Sequence, residues 1–479
     1  MPNRILILSP DIISERMAGP AIRYWEFAKQ LSQTPVTLAT PNAINSTFIP
    51  QQHNITLIQH QQSNIDSLIQ QHDIIIFQGY IFDVYPQLKS CQKILITDLY
   101  DPIPLEGLEQ HKDWQPNEAT PRIFEQVNML NQQLELADYF LCASERQRDL
   151  WLGHLLALGR INPYTYENIK QRVLIIPYGL PDNTPEYTAS ALRQTDNDNR
   201  FILLWGGGIW QWFDPLTPIN AIHQLSKQYP DIQLVFLGTK HPNPDIPPMP
   251  IQNEAEILAK ELKLYGNQVL FQEGWIPYDQ VHNYFLDANV GISAHFDTLE
   301  THYSFRTRIL HYLWTGKPII TTKGDIFAEQ IQRYKAGIVV DYKSTTAWMD
   351  AIETMHDADY YSKFQQGVKQ LAQQYYWSNV TEPLKQLQQQ AKLSTDMYID
   401  ERGIRQARYW QAKWQHSHEH CLLRDELKDT QYTLQMAHQQ LDAQKQYNME
   451  LTKKLEIIEN SNSWKLTAHL RNLRQKLKI

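Results

Sequence analysis

The chain of 479 residues is longer than one hydrophobic core usually supports, so we expect two domains with additional segments. Its 44 basic and 52 acidic residues give a net charge of -8, which excludes a general affinity for nucleic acid. Three widely spaced cysteines predict neither a disulfide framework nor a zinc site. The N-terminus has no signal-peptide pattern and no apolar run is long enough to span a bilayer, so a cytoplasmic protein is expected.

Residues 1–180 alternate short apolar runs with helical patterns. Continuous apolar runs between helices are typical of buried parallel strands in a doubly wound, Rossmann-like sheet. The predicted strands are Arg4–Ser9, Val36–Thr40, Ile55–Gln59, Asp73–Phe77, Ile94–Thr97, Tyr139–Ala143 and Val173–Ile176. Residues 181–200 have the composition of a linker.

The same alternation restarts over residues 201–375, which predicts a second doubly wound domain. Its predicted strands are Phe201–Trp205, Ile232–Leu237, Val269–Gln272, Val290–Ser293, Pro318–Thr322 and Gly337–Asp341. Two such α/β domains leave a cleft between the carboxyl ends of their strands, where ligands usually bind. Residues 376–420 are interpreted as a helix that crosses back over the junction, followed by a linker.

Two segments of the second domain indicate an anion site. Gly206, Gly207 and Gly208 directly follow an apolar strand, and glycines there let a ligand approach the backbone closely. Arg306 and Arg308 open a helical pattern that ends at Gly316, and guanidinium groups near a helix start favour an anion. Together they predict a diphosphate site, although the arginines could instead face solvent.

A heptad pattern occupies residues 421–459. One row is Leu427, Leu434, Leu441, Asn448 and Leu455, and its companion is Leu423, Thr430, Ala437, Gln444, Leu451 and Ile458. Such a seam predicts a coiled coil, and an asparagine within it favours a two-stranded homodimer. The alternative is a long helix that docks on its own domains.

Residues 460–479 form a basic tail. Leu466, Leu470, Leu473 and Leu477 share one helical face, the opposite face is cationic, and Trp464 lies near the start. A helix of this kind can lie on an anionic membrane surface. Packing against a partner protein is the alternative.

Several short segments, in this order, resemble family 4 of the GT-B-fold glycosyltransferases. They are Gly19–Arg23, Ile176–Gly179, Gly206–Asp214, Gly274–Pro277 and Glu300–Asp325, over residues 1–395. The subgroup used in bacterial surface-polysaccharide and lipopolysaccharide assembly is similar in its Trp-Gly-Gly-Gly turn, its Asp98–Pro102 segment and its Ser463–Thr467 tail. The resemblance implies retaining, metal-independent transfer from a nucleotide-diphosphate sugar, without a cofactor, to a glycan acceptor that is expected to be lipid-linked.

This sequence departs from the family pattern at the donor site. The arginine and lysine that usually grip the diphosphate are replaced by Gly208 and Phe213. Arg306 and Arg308 could supply the missing charge. The paired glutamates are replaced by Tyr303 and His311, and nearby Glu300 could contact the sugar or ribose. His311 could reach the ribose or a phosphate, or it could be an ordinary hydrogen-bonded histidine on a helix. Trp210 and Trp212 could stack on the base or sugar, or seal the domain interface.

The first domain offers the acceptor-side candidates. Asp98 ends a predicted strand, and Asp101 and Glu106 follow, so one of these carboxylates could position the acceptor hydroxyl or take its proton. Gly19 and Arg23, at the start of the first helix, are candidates for binding the acceptor or a phosphate.

Two functions other than glycosyl transfer stay open on sequence grounds. One is a nucleotide-sugar epimerase of the same fold, and the other is a catalytically inactive scaffold assembled through the coiled coil. The Asp-x-Asp segment at 196–198 lies in the polar linker without a preceding strand, so no metal role is assigned to it.

Overall fold

The computed structural model describes residues 3–477, except 16, 45–53, 194, 196–197, 239–248, 273, 275, 278–279 and 395–400. The chain forms two compact units, Met1–Ile404 and Arg405–Ile479. The first unit contains two α/β domains, and the second is helical.

The N-terminal domain is built on a sheet of seven parallel strands in the order β3-β2-β1-β4-β5-β6-β7. The strands are β1 (Ile5–Leu8), β2 (Val36–Thr40), β3 (Ile55–Gln59), β4 (Ile74–Phe77), β5 (Ile94–Asp98), β6 (Tyr139–Cys142) and β7 (Val173–Ile175). The helices are α1 (Gly19–Leu31), α2 (Ile65–Gln71), α3 (Ile81–Val84), α4 (Ile103–Gln110), α5 (Pro116–Leu136), α6 (Glu145–Ala157) and α7 (Ile169–Arg172), with a 3₁₀ turn at Pro86–Ser90. Central strand β1 is buried along its whole length because helices cover both faces of the sheet.

The C-terminal domain repeats this architecture with six parallel strands in the order β10-β9-β8-β11-β12-β13. The strands are β8 (Phe201–Trp205), β9 (Ile232–Phe236), β10 (Val269–Phe271), β11 (Val290–Ser293), β12 (Ile319–Thr322) and β13 (Gly337–Val340). Its helices are α8 (Leu216–Leu225), α9 (Pro250–Glu261), α10 (Val281–Asp287), α11 (Leu299–Tyr303), α12 (Arg308–Trp314), α13 (Ile326–Tyr334), α14 (Thr345–His356) and α15 (Ala358–Ala372). In both sheets the order reverses beside the first strand of the domain, which is where doubly wound sheets open a ligand crevice.

The chain crosses back to the first domain after a 3₁₀ turn at Gln373–Tyr375, through α16 (Trp377–Val380) and α17 (Glu382–Gln390). Leu180 exchanges two backbone hydrogen bonds with this segment. Leu180 N donates to Tyr375 O at 2.7 Å, and Trp377 N donates to Leu180 O at 2.9 Å. The Trp377 ring lies so close to Gly179 that a Cβ there would be 2.5 Å from it. Asn3 donates to the Gln388 carbonyl at 3.0 Å, so α17 is attached to the N-terminal domain.

Direct contacts also join the two domains at the cleft. Gln147, in α6, donates to the carbonyls of Tyr100 at 2.7 Å and Tyr303 at 2.8 Å. Arg146 donates to the Gly324 carbonyl at 2.6 Å and pairs with Glu329. Helix α4 contacts α11. These bonds hold the carboxyl ends of the strands of one sheet opposite those of the other sheet.

The second unit consists of helical segments. A long helix, α18 (Glu401–Asn460), is followed by α19 (Asn462–Leu466) and α20 (Ala468–Leu477). The helix begins 20 residues before the predicted heptad segment, since its start is residue 401 rather than 421. The seam leucines are exposed, at 57% for Leu427, 58% for Leu434 and 51% for Leu441.

Candidate active site

The two domains enclose a cleft of about 840 Å³ at the carboxyl ends of their strands. Both domains contribute to its lining, so it has an N-terminal wall and a C-terminal wall. A space of this size is typical of a site for a small organic ligand.

The triple-glycine turn after β8 forms part of the C-terminal wall. Gly206 N donates to the Tyr312 hydroxyl at 2.8 Å, and a Cβ on Gly206 would lie 2.3 Å from the Phe285 ring. Gly207 has a φ of 137°, which disfavours any residue with a side chain. The turn therefore depends on glycine, and it presents backbone to the cleft.

Arg308 lies against this turn and lines the cleft. Its Nη2 donates to the Gly208 carbonyl at 2.7 Å, and its guanidinium carbon lies 4.0 Å from the centre of the Phe213 ring. Nη1 is buried and has no hydrogen-bond partner among the described residues. Burial, together with the nearby charge of Arg306, lowers the pKa of Arg308 to about 9, so the side chain is still cationic at neutral pH.

Arg306 also lines the cleft, but a carboxylate compensates its charge. Nη1 and Nη2 donate to Glu300 at 2.8 and 2.7 Å, and both side chains are almost completely buried. Glu300 is not part of the cleft lining, so the structure places it behind Arg306 rather than against a substrate. The Nε of Arg306 is buried without a partner in the described part of the chain.

His311 lies one helical turn after Arg308 and lines the cleft. Its ring stacks on Phe285 with 4.9 Å between the ring centres. Burial, with a smaller contribution from His282, lowers the pKa of His311 to about 4. The imidazole is therefore neutral at physiological pH, so it can hydrogen-bond to a ligand but adds no charge to a phosphate site.

Trp210 and Trp212 line the cleft beside the glycine turn. Their rings stack on each other, with 5.6 Å between centres and 9° between planes. The predicted contact with a base or sugar and the predicted sealing of the domain interface are both compatible with this position.

Carboxyl groups characterise the N-terminal wall. Asp101 follows β5, and burial raises its pKa to about 6. Glu106, on α4, has its pKa raised well above the usual range by burial and by the negative charges of Asp101 and Glu300, while Arg306 acts in the opposite direction. Both residues line the cleft, so Glu106 faces the arginines of the opposite wall.

Arg23 and Asp98 lie behind this wall and pair with each other. Arg23 Nε donates to Asp98 at 2.6 Å and Nη2 at 3.0 Å, and neither side chain has any exposed surface. The guanidinium lies between the rings of Phe27 and Tyr100, at 4.5 and 4.6 Å. Gly19 lines the cleft, but Arg23 and Asp98 do not. We therefore do not assign the predicted phosphate binding to Arg23 or the predicted action on the acceptor to Asp98.

Sequence reasoning missed Gln78, which directly follows β4 on the N-terminal wall. Its Nε2 donates to Asp101 at 3.3 Å. The signal that selected Asp98, a polar residue at the carboxyl end of a buried strand, applies equally to Gln78 and could have found it.

The structure gives no support for a metal site. Among the described residues, no three His, Cys, Asp or Glu side chains are arranged to hold a metal ion. Asp198 pairs with Arg200, and the other two residues of the Asp-x-Asp segment lie outside the described residues.

None of the described helices combines the length and apolar character needed to cross a membrane.

Comparison with known proteins agrees with this arrangement. Residues 201–358 match the family described as Glycosyl transferases group 1. No curated protein matches the sequence. The family match confirms the prediction that the chain is a transferase enzyme.

Solved structures of the same fold include the three proteins that follow. Sucrose-phosphate synthase from Thermosynechococcus elongatus aligns with a TM-score of 0.57 at 16% identity, over 81% of this chain and 98% of its own. HepE from Anabaena, in complex with UDP and glucose, aligns with a TM-score of 0.56 at 14% identity, over 80% of this chain and 98% of its own. WaaG, a glycosyltransferase involved in lipopolysaccharide biosynthesis, aligns with a TM-score of 0.54 at 13% identity, over 80% of this chain and 98% of its own. The predicted GT-B fold, two Rossmann-like domains with a C-terminal helix, is confirmed.

Proposed function

We propose that this protein transfers a glycosyl group from a nucleotide-diphosphate sugar to a glycan acceptor. The observation that carries the proposal is Arg308, a buried cation without a carboxylate partner among the described residues, held against a glycine turn in the cleft. Burying a charge without a counter-charge is costly. A diphosphate bound against Arg308 and the glycine backbone would provide that counter-charge.

Departure of the nucleoside diphosphate is the step that these groups favour. When the bond between the anomeric carbon and the diphosphate oxygen breaks, negative charge increases on that oxygen. Arg306 and Arg308 stabilise this charge from fixed positions, and such preorganised groups are effective in a site that excludes water. The substitutions at Gly208 and Phe213 are compatible with this role, because the Arg308 guanidinium contacts both residues.

Asp101 is the group proposed to act on the acceptor. Its pKa of about 6 leaves it ionised at neutral pH and still basic enough to take a proton from the attacking hydroxyl. Burial and the neighbouring negative charges raise the pKa of Glu106, which favours its protonated form. In that form Glu106 does not repel the diphosphate and can donate a hydrogen bond to the donor.

The neighbouring structures support the finer parts of the proposal. HepE forms a complex with UDP and glucose, and WaaG is involved in lipopolysaccharide biosynthesis. By analogy we propose a nucleotide-sugar donor and a lipid-linked acceptor in surface-polysaccharide synthesis at the inner face of the cytoplasmic membrane. Retention of anomeric configuration and independence from metals are proposed from the family resemblance.

The helical unit suggests how the enzyme is held in place. The exposed leucines of α18 and the asparagine at position 448 favour pairing with a second copy of the chain. In the tail, Arg471 stacks over Trp464 at 3.5 Å, and Leu470 is 69% exposed. We propose that α18 forms a homodimeric coiled coil and that the tail binds an anionic membrane surface.

A donor panel tests the proposed function. UDP, GDP and their common sugar conjugates are titrated against the full chain while thermal unfolding is followed, and conjugates that shift the unfolding temperature are then assayed for sugar transfer. Stabilisation by one nucleotide series followed by transfer is expected. Stabilisation by none of them would contradict the proposal. Turnover of the donor to an epimeric nucleotide sugar, without an acceptor, would identify an epimerase instead.

A further inference from the structure

We propose that the N-terminal wall recognises the acceptor as a neutral sugar, through neighbouring hydroxyls held by Gln78 and Asp101, and that it excludes phosphorylated acceptors. The inference rests on the proposed function and specifies its acceptor. It also implies that the enzyme elongates a glycan, because the lipid diphosphate of a lipid-linked acceptor then has to lie outside the cleft.

The orientation of Gln78 leaves a hydrogen-bond acceptor free. The side chain is 5% exposed, and its Nε2 donates to Asp101 Oδ2 at 3.3 Å. Its Oε1 is buried without a partner in the described part of the chain, although the residue lines the cleft. The opposite amide orientation would set the oxygen against the carboxylate, which is unfavourable. A buried carbonyl oxygen without a partner costs about 1–3 kcal/mol, and a donor hydroxyl from a ligand removes that cost.

One sugar ring can use both groups of this pair. The attacking hydroxyl donates its proton in a hydrogen bond to Asp101, and a neighbouring hydroxyl of the same ring donates to the free Oε1 of Gln78. Asp101 is the proposed base, so Gln78 would position the acceptor next to the group that removes its proton. Gln78 is thus a specificity-determining residue that contacts the acceptor.

The charges of the N-terminal wall oppose a phosphate. Its charged and amide side chains are Asp11, Asp101, Glu106, Gln78, Gln110 and Gln126. No lysine or arginine occurs among the described N-terminal residues that line the cleft. His60, also on this wall, lies 2.6 Å from the Tyr85 hydroxyl through Nδ1, and burial lowers its pKa, so it is neutral at physiological pH. Carboxyl and amide groups suit sugar hydroxyls, and the negative charge of Asp101 repels a phosphate dianion.

The two walls therefore sort substrates by charge. The C-terminal wall presents Arg306 and Arg308, and the N-terminal wall presents carboxyl and amide groups. A phosphate that enters the cleft is attracted to the donor wall and repelled from the acceptor wall. A hydroxyl-rich neutral ring has hydrogen-bond partners on the acceptor wall.

The test compares Gln78→Leu with a matched control, Gln132→Leu. Gln132 is also a buried glutamine whose Nε2 donates to an aspartate, Asp83, at 3.3 Å and whose Oε1 is without a partner among the described residues. Unlike Gln78, it does not line the cleft. Donor affinity is measured first by calorimetry. Failure of the wild-type chain to bind any donor would contradict the proposed function itself, whereas normal donor binding isolates the acceptor question.

Transfer is then measured to 4-nitrophenyl glycosides of common hexoses and to the corresponding 6-phosphates. We expect transfer to a neutral glycoside and none to the phosphates. Gln78→Leu should reduce kcat/KM by about tenfold with unchanged donor affinity, and Gln132→Leu should leave it unchanged. Efficient use of a 6-phosphate, no transfer to any neutral glycoside, or full activity in Gln78→Leu would overturn the proposal.

A second variant keeps the proposal testable if Gln78→Leu does not fold. Gln78→Glu preserves an oxygen for the acceptor hydroxyl but places a second carboxyl beside Asp101. The added negative charge should raise the pKa of Asp101 and move the acid limb of the rate profile to higher pH. An unchanged profile would show that Gln78 does not act at the reacting end of the cleft.

Discussion

Each domain of the first unit buries an arginine–carboxylate pair near the cleft, and the two pairs differ in what they leave accessible. In the N-terminal domain, Arg23 and Asp98 are enclosed by aromatic rings and neither lines the cleft. In the C-terminal domain, Glu300 lies behind Arg306, and Arg306 lines the cleft beside Arg308. We propose that the first pair supports the fold and that the second positions a cation for a ligand. On this proposal, similar chemistry serves structure in one domain and binding in the other.

Breaking the enclosed pair should have the largest effect on stability. Asp98→Ala leaves the Arg23 charge buried without a carboxylate, which should destabilise the protein by about 3–5 kcal/mol. The matched control is Asp73→Ala in the same domain, because Asp73 pairs with Arg4 at the surface. That change should cost about 1 kcal/mol or less. Denaturant unfolding of both variants checks the contrast, and equal losses would remove the distinction between the pairs.

Removing the cleft cations should affect binding more than stability. Arg308→Ala should weaken binding of the nucleotide diphosphate about 10- to 100-fold, or about 1.4–2.7 kcal/mol, and the double change with Arg306→Ala should weaken it further. Arg308→Lys should give an intermediate loss, because lysine keeps the charge but not the planar fork. Calorimetric titration measures this, with Arg200→Ala as a control because Arg200 pairs with Asp198 away from the cleft lining. Unchanged affinity in the double variant would remove both arginines from the site.

The pH dependence of transfer should report on Asp101. A general base has to be ionised, so the rate should rise with pH through about 6 and level off above it. Asp101→Asn should lower the rate and abolish this rise with pH. The same rise in the variant would show that another group is responsible for the pH dependence.

Asp101 should also make the stability of the protein depend on pH, but stability should fall with rising pH where the transfer rate rises. Because the pKa of Asp101 is raised from 3.8 to about 6 in the folded state, the folded protein binds more protons and loses stability as pH rises through that interval. Asp101→Asn should therefore gain stability relative to the wild type above pH 6, by about 1–2 kcal/mol after allowance for its partial exposure. Thermal unfolding at pH 4 and pH 8 checks the sign.

The helical unit should contribute least to catalysis. Leu441→Lys in the exposed seam should shift the chain from dimer to monomer in analytical ultracentrifugation while soluble-donor turnover stays the same. Deletion of residues 461–479 should reduce sedimentation with anionic vesicles, since each basic residue adds about 1 kcal/mol near such a surface. A monomeric wild type, or full vesicle binding after the deletion, would contradict the respective proposal.

Sequence patterns located the elements well and the interactions poorly. The thirteen predicted strands of the two domains correspond to the thirteen strands in the described residues, with differences of a residue or two at their ends. Buried parallel strands leave a strong signal, because both faces have to be apolar. The glycine turn could also be predicted from the sequence, because its backbone geometry excludes residues with side chains.

The partners of the charged residues could not be predicted. Arg23 and Asp98 are 75 positions apart, and nothing local in either segment shows that they neutralise each other. Glu300 was predicted to meet a sugar, but Arg306 occupies both of its carboxylate oxygens. Gln78 was overlooked because its role comes from Asp101, which follows the neighbouring strand β5. Such pairings depend on tertiary distance rather than on residue type.

A crystal structure of the full chain with a bound nucleotide diphosphate tests most directly whether the C-terminal wall is a donor site. The diphosphate is expected within hydrogen-bonding distance of the Arg308 guanidinium and the backbone of Gly207 and Gly208, with Arg23 and Asp98 still paired and covered. A diphosphate bound to the N-terminal wall, or against an Arg23 released from Asp98, would contradict the division of roles between the two ion pairs.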